Sequence, residues 1–115
     1  MLETAVITGA SSGVGKSLAI QLSDAGYKVV LAARSKNKLN AIAEEIQTKG
    51  GNCLVVPTDV SKPEQINNLK VRTLEYGDVF VVINNAGLGN FCKIEDVTLE
   101  DWNRQLDVNL RASFL

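Results

Sequence analysis

Four apolar runs recur along this chain, Ala5-Val6-Ile7, Val29-Val30-Leu31-Ala32-Ala33, Leu54-Val55-Val56 and Val79-Phe80-Val81-Val82-Ile83, and each is followed by a segment of helical periodicity. The second run is continuously apolar rather than alternating, which suits a parallel strand covered on both faces. The helical segments carry their apolar residues at Gly15, Leu18, Ala19 and Leu22, then at Leu39, Ile42, Ala43 and Ile46, then at Ile66, Leu69 and Thr73 in a more polar third segment. The fourth has its stripe at Trp102, Leu106, Leu110 and Phe114. Gly26 and Gly50-Gly51 stand where the first two helices should stop, and Ser61-Lys62-Pro63-Glu64 and Thr98-Leu99-Glu100-Asp101 have the capping-box form that opens the other two. The strict βαβαβαβα alternation predicts a doubly wound, three-layer α/β domain over residues 1–115 with right-handed crossovers and strand order 3-2-1-4. A ligand would then bind in the crevice at the carboxyl ends of strands 1 and 4.

The junction between the first strand and the first helix, Thr8-Gly9-Ala10-Ser11-Ser12-Gly13-Val14-Gly15, has the chemistry of a phosphate site. Gly9 lets the backbone turn sharply off the strand, Gly13 leaves no Cβ between the main chain and a pyrophosphate, and Gly15 lets the helix lie close to the sheet. The free N–H groups of the first helical turn and the positive end of its dipole attract the anion, and the Ser11 and Ser12 hydroxyls can donate to it. Lys16-Ser17 imitates the end of a P-loop, but the upstream glycine that motif needs falls at Ala10.

Composition excludes several other classes. A net charge of −1 with both signs interspersed gives no electrostatic footprint for nucleic acid or an anionic membrane. No apolar run reaches membrane-spanning length, and Met1-Leu2-Glu3 leads straight into the first strand without a signal peptide's basic and apolar regions, so a cytoplasmic protein is expected. Cys53 and Cys92 are too widely spaced for a disulfide framework and read as reduced thiols. With no histidine and no cluster at ligand spacing, no metal site is expected.

Further residues with chemistry fall at the strand ends. The second strand ends in Ala32-Ala33-Arg34. A carboxylate at that tip would bond a ribose 2′-hydroxyl, whereas a guanidinium grips a 2′-phosphate, so the pattern favours NADP over NAD as the cofactor. Asp59, past the third strand, either accepts from an adenine amino group or caps the loop before Ser61. Asn84-Asn85-Ala86-Gly87 follows the fourth strand, and its small residues suit close backbone approach to a ribose. Asn109 lies between Leu106 and Leu110 on an apolar stripe, where an unpaired amide would cost about 1–3 kcal/mol, and so is expected to hold a definite hydrogen bond.

Together these residues resemble the short-chain dehydrogenase/reductase family, over almost the whole chain. Thr8 to Gly15 looks like its T-G-x-x-x-G-x-G loop, Asp59-Val60 like its adenine-contacting pair, Asn84 to Gly87 like its N-N-A-G motif, and Asp107-Val108-Asn109 like the segment with its helix asparagine. The resemblance implies a Rossmann-type fold and an NAD(P)-dependent oxidoreductase moving hydride between nicotinamide and a small-molecule carbonyl/alcohol pair, in a homo-oligomer. It implies cofactor contacts at Gly9, Ser11, Ser12, Gly13, Val14, Gly15, Arg34, Asp59, Val60, Asn85, Ala86, Gly87 and Val108, and a proton-relay role for Asn109. Two features depart from the family. Phe80 stands where an aspartate is common, with Asp78 two residues earlier. The active-site serine and Tyr-x-x-x-Lys pair are absent, since Tyr27 is followed four residues on by Leu31 and Tyr76 by Phe80. The chain is therefore expected to correspond to the N-terminal half of such an enzyme; a catalytically silent nucleotide-binding or interaction module would carry the same features.

Overall fold

A computed structural model describes residues 3–87, 96–111 and 113. Met1, Leu2, Cys92 and Phe114, each used in the sequence reading, lie outside the described residues. Four strands, β1 (Thr4–Thr8), β2 (Lys28–Ala33), β3 (Cys53–Pro57) and β4 (Val79–Ile83), form one parallel sheet in the order β3-β2-β1-β4. They alternate with helices α1 (Gly13–Asp24), α2 (Lys36–Thr48), α3 (Pro63–Tyr76) and α4 (Leu99–Leu106). This is the Rossmann-type αβα arrangement expected from the alternation.

The period-2 geometry of the strands divides the core. Ile7, Val29 and Leu31 pack on one face of the sheet with Ala19 of α1 and Leu39, Ile42 and Ile46 of α2. Val6, Val30, Ala32 and Val56 pack on the other with Leu69 of α3. In the register Val6↔Val30 and Ile7↔Leu31, each layer is contributed by both central strands, which explains why β2 has no polar position among Val29 to Ala32. β1 is buried along its whole length. Among the described residues β4 is paired on one side only, to β1, and Phe80 and Val82 are exposed there by 62% and 56%. Phe80 stacks on Tyr27, ring centroids 6.1 Å apart and 15° from parallel, so an aromatic pair occupies the position where the family's aspartate would stand.

Helix ends follow local chemistry. Gly26 and Gly50, at φ 101° and 84°, take up the left-handed positions just past α1 and α2 that a side chain would resist. Ser35 caps α2 by accepting from Lys38 N, and Thr98 caps α4 by accepting from Asp101 N at 3.0 Å. Two expectations are corrected. Ser61 does not cap α3: Lys62 is the N-cap and Pro63 the first helical residue, because the Ser61 hydroxyl is turned back onto Asp59. The last helix does not run on as one α-helical stripe, because it widens at Asp107–Arg111 into a π-helical turn that shifts the phase of the residues after Leu106. Trp102 and Leu106, ahead of that turn, and Leu110 within it are all exposed.

Candidate functional site

The carboxyl ends of β1 and β4 are joined by side chain to backbone bonds that set the shape of the site. Thr8 Oγ1 accepts from the backbone N–H of both Asn85 and Ala86, each at 3.0 Å, and donates toward Ile83 O at 3.4 Å. Asn85 Nδ2 donates back to Gly9 O at 3.2 Å. One amide of the Asn84-Asn85 pair thus ties two loops together. The glycines are dictated by this junction. A Cβ on Gly15 would sit 2.2 Å from Gly9 O and 2.6 Å from Asn85 Nδ2, and one on Gly9 would sit 3.0 Å from Ala86 Cα. Gly13 differs: its φ is +58° and a Cβ there would meet nothing within 4 Å, leaving the approach to the helix N-terminus open. Ser12 is the N-cap of α1 but its side chain makes no capping bond, and no acidic residue occupies the first turn. The N–H groups of that turn would therefore meet an anion with no carboxylate of the first turn opposing it.

A cavity of about 640 Å³ opens across these strand ends. The β1–α1 turn supplies Gly9, Ser11 and Ser12; the end of β2 and start of α2 supply Ala33, Arg34, Ser35 and Lys38; the end of β3 supplies Thr58, Asp59 and Val60. Asn85, Ala86 and Gly87 line it beyond β4, and Arg104 and Val108 form its outer wall. Its size is that of sites holding sizeable organic ligands.

Ten of the residues named from the sequence as cofactor contacts therefore share one cavity: Gly9, Ser11, Ser12, Arg34, Asp59, Val60, Asn85, Ala86, Gly87 and Val108. Gly13, Val14 and Gly15 do not line it; Gly15 is buried against Gly9 O and Asn85 Nδ2, and Val14 is exposed. Asn109 is exposed rather than held on a buried apolar stripe, because the stripe it shares with Trp102, Leu106 and Leu110 is itself exposed; its Oδ1 lies 3.6 Å from where a Cβ on Gly87 would stand. Ala33, Ser35, Lys38, Thr58 and Arg104 were missed. Ser35 and Lys38 are recognisable as an N-cap and its third residue, and Arg104 precedes Val108 by one helical turn.

Electrostatically the cavity is basic at its β2 end, where Arg34 and Lys38 stand with no carboxylate at the strand tip. Asp59 is the carboxylate among the described lining residues, and that group is committed locally: Oδ1 accepts from Ser61 Oγ at 2.7 Å and from Ser61 N at 3.0 Å. Of the two roles open to Asp59 in the sequence, the loop cap is formed. The Ser61 hydroxyl, and then the Ser61 N–H, Arg34 and Lys62, hold the Asp59 carboxyl below the usual carboxylate range against a smaller opposing effect of burial. Cys53 lies away from the cavity on β3, and burial pushes its thiol up. Among the described residues no helix is long and apolar enough to cross a membrane, and no group of three or more His, Cys, Asp or Glu is placed to hold a metal ion.

A parallel sheet wound on both faces, with a glycine turn after its first strand and a cavity across the strand ends at the β1/β4 switch point, defines a Rossmann-type α/β domain. Residues 3–115 match the family model described as short chain dehydrogenase, and the chain belongs to that family. It is 40% identical over 110 residues to an uncharacterized oxidoreductase of Staphylococcus aureus (strain MRSA252), an alignment covering 95% of this chain and 47% of that protein. Among solved structures it resembles an alcohol dehydrogenase from the archaeon Thermococcus sibiricus complexed with 5-hydroxy-NADP, with a TM-score of 0.94 and 40% identity over 99% of this chain and 49% of that one. It also resembles a metagenomic short-chain oxidoreductase in complex with NADP, with a TM-score of 0.94 and 34% identity over 97% of this chain and 52% of that one. The chain spans about half the length of the relatives it matches.

Proposed function

We propose that this chain is the cofactor-binding half of an NADP-dependent oxidoreductase acting on a small carbonyl/alcohol pair. The observation that carries the reading is Arg34: it stands at the tip of β2 in the cavity wall, with Ser35 and Lys38 beside it and no carboxylate at the strand tip. A guanidinium there grips a 2′-phosphate in bidentate fashion, whereas an acidic residue would repel it. The NADP ligands of the two structural neighbours support the same choice.

The residues present fit such a cofactor. Gly13 leaves the helix N-terminus open to the pyrophosphate, with the Ser11 and Ser12 hydroxyls beside it and Gly9 and Gly15 keeping the turn compact. Asp59, Val60 and Val108 would bound the adenine, and Asn85, Ala86 and Gly87 would approach the nicotinamide ribose. The bound cofactor supplies or accepts the hydride. Asn109, beside Gly87, is proposed to order the water that relays a proton, the role implied by the family's helix asparagine. Proton donation to the carbonyl oxygen needs a tyrosine with a lysine that lowers its pKa, and we propose that the complete protein, in the cytoplasm and as a homo-oligomer, brings them. The test is an NADPH-oxidation assay on the protein at its natural length with a panel of ketones and aldehydes. Turnover with at least one is expected, and binding of NADPH without turnover of any carbonyl would contradict the enzymatic part of the reading.

A further inference from the structure

We infer that Arg111 is a positioning residue that holds the outer wall of the nucleotide cavity in place. That wall, Arg104 and Val108, is carried by α4 and the π-helical turn after it, which pack mainly on each other. Trp102, Leu106 and Leu110 of this segment are exposed, so its apolar side chains do not pin it to the sheet. A polar bond does reach the body of the domain. Arg111 Nη2 donates to the carbonyl oxygen of Ser61 at 2.6 Å, across 50 positions of sequence, while Nη1 lies 3.5 Å from Asp107 Oδ1 one turn back. The planar guanidinium can hold both at once, which a lysine does less rigidly.

Ser61 is a fixed anchor. Its N–H and hydroxyl both donate to the Asp59 carboxylate, and Asp59 N donates to Gln65 Oε1 at 2.7 Å. An unbroken run of hydrogen bonds thus joins Arg111 to Ser61 and Ser61 to Asp59, which lines the same cavity as Arg104 and Val108. Arg111 and Asp107 are both partly exposed, and their ion pair alone would add little. The bond to Ser61 sets the distance between the wall carrying Val108 and the loop carrying Asp59, which is the width of the adenosine end of the cavity. This inference rests on the nucleotide reading of the cavity and assigns a residue that none of the cofactor motifs contains.

Arg111→Met keeps the aliphatic stem and removes every donor; Arg111→Lys keeps one charged donor. With the protein at its natural length, NADPH, NADH and reduced nicotinamide mononucleotide, which lacks the adenosine half, are titrated by calorimetry against both variants. Arg111→Met is expected to weaken NADPH and NADH by the same factor, roughly three- to tenfold, the scale of one partly exposed charge-assisted hydrogen bond. The mononucleotide should be unaffected, and Arg111→Lys should recover most of the loss. A merely structural arginine would lower thermal stability and leave these dissociation constants where they were. Unchanged NADPH affinity in Arg111→Met, or an equal loss for the mononucleotide, overturns the inference while leaving the cofactor reading intact. Failure of the unaltered protein to bind NADPH overturns both.

Discussion

Thr8 and Asn85 are bonded across the carboxyl ends of neighbouring strands: Thr8 Oγ1 accepts from Asn85 N at 3.0 Å, and Asn85 Nδ2 returns a bond to the carbonyl of Gly9 at 3.2 Å. The pair ties together two of the loops that line the cavity, those carrying Gly9 and Asn85. Thr8→Val keeps the shape of the side chain and removes the acceptor, leaving the N–H groups of Asn85 and Ala86 without it. The expected cost is about 1–3 kcal/mol in urea denaturation, with Thr8→Ser close to the unaltered protein because it keeps the hydroxyl. Equal stability of the Val and Ser variants would contradict this reading of the junction.

The glycines of the same turn should separate by mechanism. Gly15→Ala places a Cβ 2.2 Å from a backbone oxygen that cannot move without reopening the Gly9 turn, so it should cost at least about 1–3 kcal/mol and abolish nucleotide binding. Gly13→Ala meets no atom within 4 Å and costs only the left-handed backbone, about 1–2 kcal/mol. Circular dichroism melts of the two variants, paired with an NADPH titration, should rank them in that order. The reverse order would mean that the turn is not built around the Gly9–Gly15 contact.

Much of this fold is legible in the residue pattern. Continuous apolar runs such as Val29 to Ala32 reported a strand buried on both faces, and the left-handed stops at Gly26 and Gly50 follow from residue type alone. What the sequence concealed were competitions between equally good local bonds. Ser61 had the spacing of an N-cap, but the Asp59 carboxylate two residues back is a stronger partner for its hydroxyl than a helix N–H. The apolar stripe Trp102, Leu106 and Leu110 reads as a buried face around Asn109, and nothing in its residues announces that it stays exposed or that Asp107–Arg111 forms a π-helical turn. Arg104 and Lys38 were obscured for another reason: long charged side chains on a helix face ordinarily read as solvated surface, and only the fold aims them at a common cavity.

Asp59 gives the chain a defined acid response. Its carboxyl is held below the ordinary range, first by the Ser61 hydroxyl. A depressed folded pKa contributes stability that is fully present above the unfolded value of about 3.9 and is lost as pH falls through the folded pKa. The stability difference between the unaltered chain and Asp59→Asn should therefore be constant from neutrality down to about pH 4 and shrink below it. A difference independent of pH into the acid range would show that Ser61 does not favour the ionised form.

The exposed β4 edge makes an expectation for the 115-residue chain expressed as such. An unpaired apolar strand edge templates association, and Phe80 and Val82 on its surface add to it. Size-exclusion chromatography should show self-association, reduced by Val82→Lys. A monodisperse monomer that unfolds cooperatively would show that the edge is adequately protected.

Arg34 is proposed to select a 2′-phosphate, and calorimetric titration of NADPH and NADH against the protein at natural length is the decisive measurement. NADPH should bind more tightly than NADH by one to two decades, roughly the 1.5–3 kcal/mol of a charge-assisted bidentate contact, and Arg34→Ala should erase that preference by weakening NADPH alone. Ala33→Asp, which sets a carboxylate at the strand tip, should reverse it. Equal affinities for the two nucleotides, unmoved by either substitution, would reduce Arg34 to a surface charge and contradict the account.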